Sequence, residues 1–213
     1  SEKGILLSIP MMLLLSLAIS FSCIGDIPTS SDDIYRYLWE GKLQSKGISP
    51  YKIAPFRISV DDTILKNVNH PTMTAIYGPT YMFVMSHLAR ISYSLDAVQI
   101  LNVFLMFFVS ITLMFTLAWC EIDPRRFAVW ALCPVVILEG AVAGHLEIIM
   151  SFLFSVSILS ASFGMPFISA IFLSLVGGIK WWPYILLLPL SRVFPDRLIT
   201  ILVASSLTFY LLY

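Results

Sequence analysis

Charge is scarce in this chain: 12% of its 213 residues are Asp, Glu, Lys or Arg, against roughly 25% in a soluble domain. The basic and acidic side chains are equal in number and the formal net charge is zero, so the balance supports neither a nucleic-acid nor an acidic partner. Three windows, residues 4–25, 97–120 and 148–179, hold no charged side chain at all. Cysteine is nearly absent too. Cys23, Cys120 and Cys133 are odd in number and each lies in an apolar run, a pattern of small buried side chains, not of a disulfide framework or a metal site. What remains is 58% hydrophobic, with a mean hydropathy of +0.88, the composition of an integral membrane protein. The first apolar stretch lacks a clear small-x-small cleavage site after it, which favours a retained span over a signal peptide.

A membrane-crossing helix needs about 20 apolar residues. Candidate spans are residues 5–23, 97–120, 127–142, 146–163, 166–178, 181–190 and 198–213. The expected fold is therefore an all-α polytopic membrane protein, one transmembrane domain over residues 1–213. The last span runs out without a polar tail, as in a piece of a longer chain. Segments 166–178 and 181–190 are short and are separated by "GGIK", the pattern of a re-entrant or broken pair. Residues 81–91 are shorter still and contain His87 and Arg90. If they do not cross, Lys3, Arg125, Arg126, Arg192 and Arg197 share one side, as the positive-inside rule requires. The polar loop 25–78, "GHLE" at 144–147 and "GIKWW" at 178–182 then open on the opposite, non-cytoplasmic face.

Loop 25–78 is too rich in Pro, Gly and charge to lie in lipid. Ser30 or Ser31 is placed to cap a helix beginning at Asp32 and Asp33, and Gly47 to end it. Asp33, Arg36, Glu40 and Gln44 form one stripe of that helix, while Ile34, Tyr35, Leu38, Trp39 and Leu43 take most of the rest; this predicts an amphipathic helix on the membrane surface. The two aspartates either complement the helix dipole, worth about 0.3–1 kcal/mol, or supply a carboxylate that accepts a proton from a hydroxyl. His145 and Glu147, with Glu139 ahead of them, either end a helix at the water interface or mark a functional site. They are too few for a metal centre. Lys180, the only charge between Glu147 and Arg192, either snorkels to the headgroups or holds a lipid-borne phosphate. "HPTMTAIYGPTY" at 70–81 is a proline-punctuated re-entry. A base, a cation and aromatic walls on one face are what sugar transfer from a lipid phosphate requires.

The blocks "DDIYRYLWEGKLQSKGISPY", "IYGPTY", "CPVVILEGAVAGHLEII" and "GGIKWWPYILLLP" resemble, in order and spacing, the polytopic C-type (GT-C) glycosyltransferases. The similarity is to bacterial polyprenol-phosphate mannosyltransferase-like proteins and, more distantly, to the enzyme that adds the first mannose in GPI-anchor synthesis. The resemblance implies a GT-C-like helix bundle with interfacial helices in the first non-cytoplasmic loop, and inverting transfer of a sugar, mannose by kinship, from a polyprenyl-phosphate donor to an acceptor hydroxyl. It implies a multi-pass protein of a bacterial inner membrane, or of the ER if the source is eukaryotic, whose partners are the lipid-linked donor, membrane lipids and an acceptor of unknown identity. Counted back from "GISPY", the second Asp of the family's D-x-D pattern falls on Asp33 and the first on Ser31. Asp33 is then the expected base and Asp32 its support. Arg36, Glu40, Tyr51, His70, Tyr77, His145, Glu147, Lys180 and Trp181 are the expected substrate-binding residues. No cofactor is implied, and the departure from D-x-D weakens a metal bridged by two aspartates while leaving a divalent metal open. The alternatives are a non-catalytic binder or translocator of lipid-linked sugars, or an inactive scaffold subunit.

Overall fold

The computed structural model describes residues 8–212; residues 5–7 of the first expected span and residue 213 of the last lie outside them. Helices α1 (Ile9–Ser22), α2 (Asp33–Ser45), α3 (Thr63–Lys66), α4 (Pro79–Ile91), α5 (Leu95–Trp119), α6 (Ala128–Ala131), α7 (Pro134–Ile137), α8 (Glu147–Ser162), α9 (Pro166–Gly177), α10 (Leu187–Val193) and α11 (Leu198–Leu212) follow one another, with no β-strand among the described residues. α5 packs on α8, α8 on α9, and α9 on α11, while α1 lies against α5. Hydroxyls join the apolar helices where they touch: Thr112 donates to Ser155 Oγ at 2.7 Å and Ser157 to the Ser169 carbonyl at 2.9 Å.

Among the described residues α5, 25 residues long, is the one helix long and apolar enough to cross a membrane; α1 and α9 are apolar but shorter. The continuous span expected over 127–142 is broken. Pro124 opens a short 3₁₀ turn, Pro134 starts α7 afresh, and α7 runs into a π-helical turn, Leu138–Val142. Each proline removes a backbone donor and begins a new helix where its own N–H is not needed. The segment Pro134–Val142 then meets α8 at 118°, a broken span or re-entrant loop. A break at 143–146, which was not expected, thus joins the interruption at "GGIK", where α9 ends at Gly177. After "GGIK" the chain forms a 3₁₀ helix, Trp182–Leu186, that continues into α10.

Two buried amides on α5 hold that break. Gln99 donates to the carbonyls of Asp26 and Val142, both at 2.9 Å, and accepts from the Gly25 N–H at 2.9 Å. Asn102 donates to the carbonyls of Gly140 and His145, both at 3.0 Å. A backbone that leaves helical geometry inside an apolar bundle frees carbonyls, and these must find donors.

The prediction of a surface-lying α2 is corrected by the structure. Its Ile34, Tyr37, Leu38, Trp39 and Leu43 are buried, and Ile34, Tyr37 and Leu38 share one core with Tyr81, Met82 and Met85 of α4 and Ile149 and Met150 of α8. Of the polar stripe, Arg36 and Glu40 are buried and Gln44 is exposed. α2 ends at Ser45, and Gly47, at φ +76° one residue past the C-cap, stops it as expected. Cys120, expected to be buried, is exposed at the end of α5.

The α2–α4 contact depends on Gly41, where an added Cβ would stand 2.5 Å from the Met85 carbonyl oxygen. Backbone cannot give way as a side chain tip can. Gly41→Ala is therefore expected to cost about 1–3 kcal/mol through overpacking, read as a lower thermal midpoint of the purified protein.

Candidate active site

The site begins with a buried arginine. Arg36 is 4% exposed, and a guanidinium in that position needs partners for its charge and its N–H groups. All five N–H groups are engaged. Nη1 bonds Glu40 Oε1 at 2.9 Å and the Met73 carbonyl at 3.3 Å; Nη2 bonds the carbonyls of Asn69 at 2.6 Å and His70 at 2.7 Å; Nε bonds Asn69 Oδ1 at 3.0 Å. Glu40, with no exposure, also accepts from the Tyr81 hydroxyl at 3.3 Å. Burial pushes its carboxyl above the ordinary range, and the Arg36 bond pulls part of the way back. Both residues are among those expected to bind substrate; here Arg36 lines the smaller cleft with its donors engaged by Glu40 and residues 69–73, which it clamps onto α2, and Glu40 has no exposed surface.

The clamp presents Asn69 to the paired aspartates. Asn69 Nδ2 donates to Asp32 Oδ1 at 2.8 Å and to Asp33 Oδ1, while the Asp33 N–H bonds Ser31 Oγ at 3.2 Å. Asp33 Oδ2 lies 3.4 Å from the Tyr37 hydroxyl. Tyr37, Tyr77 and Tyr81 meet edge to face, with ring centres 5.4–5.7 Å apart. Burial, and the negative charges of Asp33 and Glu147, push the Tyr37 and Tyr77 phenols upward. Both stay protonated at neutral pH and remain hydrogen-bond donors.

Two hydrogen bonds carry the site across a hundred residues of sequence. The Gly78 N–H donates to the Ile179 carbonyl at 2.9 Å and the Thr80 N–H to the Gly178 carbonyl at 3.0 Å, so "IYGPT" is docked on "GGIK". Lys180 thereby comes to stand 5.4 Å from the centre of the Tyr77 ring. Its ammonium is in direct contact with Glu147 Oε1. His145 Nε2 lies 3.0 Å from Glu139 Oε2, and its Nδ1 3.8 Å from Glu147 Oε2. The turn that carries His145 and Glu147 reaches α2 because Gly144, at φ +70°, leaves room for Ile34; a Cβ there would fall 2.4 Å from Ile34 Cδ1.

Two clefts result. The larger, about 650 Å³, is walled by Tyr51, Tyr77, Trp181 and Trp182 with Lys180 among them; Tyr51 donates to the Tyr77 carbonyl at 2.7 Å, and Trp181 is 81% exposed. The smaller, about 290 Å³, contains Asp33, Asn69, His70 and Thr74. Ile76 and Tyr77 line both, so the carboxylate and the ammonium lie on either side of one aromatic partition. His70 stands at the rim with φ 42°, held through its carbonyl. Of the expected residues, Tyr51, Tyr77, Lys180 and Trp181 line the larger cleft and Asp33, Arg36, His70 and Tyr77 the smaller; Asp32 joins them through Asn69, Glu147 through Lys180 and His145 through Glu147, and Glu40 is fully buried beside Arg36. Asn69, Gln99 and Asn102 were not foreseen. Gln99 and Asn102, the third and sixth residues of the uncharged span 97–120, carried a signal that could have found them; Asn69 carried none. Among the described residues no three His, Cys, Asp or Glu side chains are grouped to hold a metal ion.

Residues 18–194 match the family described as alpha-(1->6)-mannopyranosyltransferase, N-terminal domain. That stretch includes every residue lining the two clefts. No curated protein and no solved structure matches the chain.

Removing one partner of a buried ion pair strands the other. Arg36→Ala is expected to cost about 3–5 kcal/mol on that ground, whereas Lys66→Ala, which breaks a pair exposed on both sides, should cost no more than about 1 kcal/mol. Thermal unfolding of the two variants against the parent checks the contrast.

Proposed function

The chain belongs to the alpha-(1->6)-mannopyranosyltransferase family, and from that membership we propose a GT-C type transferase. It sits in the membrane as a multi-pass helical protein and moves mannose from a polyprenyl-phosphate donor to an acceptor hydroxyl at the non-cytoplasmic face. The observation that carries the proposal is the partition at Tyr77, with Asp33 on one side and Lys180 5.4 Å from the ring on the other. Glycosyl transfer from a phosphate separates its charges in the same sense. A proton leaves the acceptor oxygen at one end, and negative charge arrives on the departing phosphate at the other.

In this reading the acceptor hydroxyl enters the smaller cleft and Asp33 takes its proton as the oxygen attacks the anomeric carbon. The bond from that carbon to the phosphate oxygen breaks on the opposite side, through an oxocarbenium-like transition state. The electron pair stays with the phosphate, where the Lys180 ammonium meets it. Attack from the far side inverts the centre, so an alpha product requires a beta-linked sugar in the donor. Tyr51, Tyr77, Trp181 and Trp182 offer flat apolar faces to the pyranose ring. Glu147 occupies Lys180 when no phosphate is present, and His145 is the neighbour to which it can turn when one arrives. Asp32 supports Asp33.

Purified protein supplied with polyprenyl-phosphate mannose and a mannoside acceptor should transfer the sugar. Asp33→Asn is expected to lower kcat by roughly 10²–10⁴-fold, the usual effect of losing a general base; near-normal turnover would remove Asp33 from the mechanism. Binding of the donor without any transfer would favour a binder or translocator of lipid-linked sugars. Lys180→Met, in the same assay, should lower kcat by about 10²–10³-fold, as loss of one group facing developing charge does elsewhere.

A further inference from the structure

We propose that Asn69 is a positioning residue for the reaction: its amide fixes the direction of the Asp33 carboxylate and stands between that carboxylate and Asp32. The inference rests on the reading of Asp33 as the base, and extends it to a residue in a different part of the loop.

An asparagine amide has two N–H donors and one carbonyl acceptor, and here every one is used. The donors go to Asp32 Oδ1 and Asp33 Oδ1, and the carbonyl accepts from Arg36 Nε. The Asn69 backbone carbonyl accepts from the same guanidinium. The orientation of the amide is therefore determined. Turned over, it would set its N–H groups against the Arg36 N–H and its oxygen against two carboxylates. Arg36 aims Asn69, and Asn69 aims Asp33.

The need for such a residue follows from the sequence. Adjacent carboxylates repel, and without a shared donor each would turn away from the other. Two N–H donors of one amide, one to each neighbour, hold both in place. The other groups facing Asp33 do not do this work. Arg36 is spent on Glu40 and the loop carbonyls; Tyr37 reaches only Oδ2, at 3.4 Å. Tyr77 lies between Asp33 and the Lys180–Glu147 pair. With Oδ1 held by Asn69, Oδ2 is the oxygen left for the acceptor.

Asn69→Asp tests the proposal with the clamp retained, because the new carboxylate still accepts from Arg36 while it turns an acceptor toward Asp32 and Asp33. The expected result is a kcat about a hundredfold lower at neutral pH, the scale of loss from a misplaced reacting group. The acidic limb of the kcat–pH profile should move to higher pH, with the KM for polyprenyl-phosphate mannose and the thermal midpoint near those of the parent. Asn69→Ala should move the limb in the same direction, and Asp32→Asn added to it should return the limb toward the parent by removing the repulsion. A parent-like kcat and profile in both single variants would overturn the proposal, as would losses in kcat, KM and thermal midpoint together with an unmoved limb, which would make Asn69 a loop staple. Asp33→Asn run alongside separates the two readings: an active Asp33→Asn protein removes the base itself, whereas an inactive one with parent-like Asn69 variants removes only the role of Asn69.

Discussion

A charge buried without partners is among the costliest things a protein can contain, and Arg36 organises this one around that cost. At 4% exposure its guanidinium must be neutralised and every N–H satisfied. Glu40 supplies the charge, one turn along the same helix. The remaining donors can be met only by carbonyls and an amide from residues 69–73, brought back across the whole polar loop. The energetic contribution of the ion pair itself is secondary, since buried pairs often roughly break even. What the arrangement secures is geometry: α2 is drawn into the core, the loop is closed, and Asn69 arrives beside Asp32 and Asp33.

The same rule operates among the apolar helices. An interrupted helix exposes carbonyls that low-dielectric surroundings cannot solvate, and Gln99 and Asn102 of α5 supply the donors. Their amides make the π-helical turn and the 118° bend stable, and that bend turns His145 and Glu147 toward α2. π-helical turns are frequent at functional sites because they redirect the residues that follow. Gly144 completes the fit against Ile34.

The polar groups so assembled form a graded series. Glu139, His145, Glu147 and Lys180 are linked on one side, and Asn69, Asp32 and Asp33 on the other, with Tyr77 between them. For the transferase proposed here this is an economical layout: the ammonium is neutralised by Glu147 until an anion enters, and the carboxylate is held by a neutral amide that leaves its second oxygen accessible. Protonated phenols separate the two, so neither charge quenches the other.

Much of this was legible in the sequence. Apolar runs and their charged borders located α1, α5, α8, α9 and α11 to within a few residues, because burial of apolar surface needs only composition and length. The blocks around Asp33, Tyr77, Glu147 and Lys180 were recognisable as one constellation, since chemistry restricts residue types at a site. Tertiary structure alone decided the rest. It covered Arg36 and Glu40 with protein although their spacing reads as a polar face, because a helical stripe records which residues share a side and not whether protein or water covers it. It added a break at 143–146, because a break is tolerated where distant amides can catch the freed carbonyls. It also brought Asn69 between two aspartates 36 and 37 residues away, a meeting that no local pattern encodes, since it follows from where a folded loop finds partners for a buried charge.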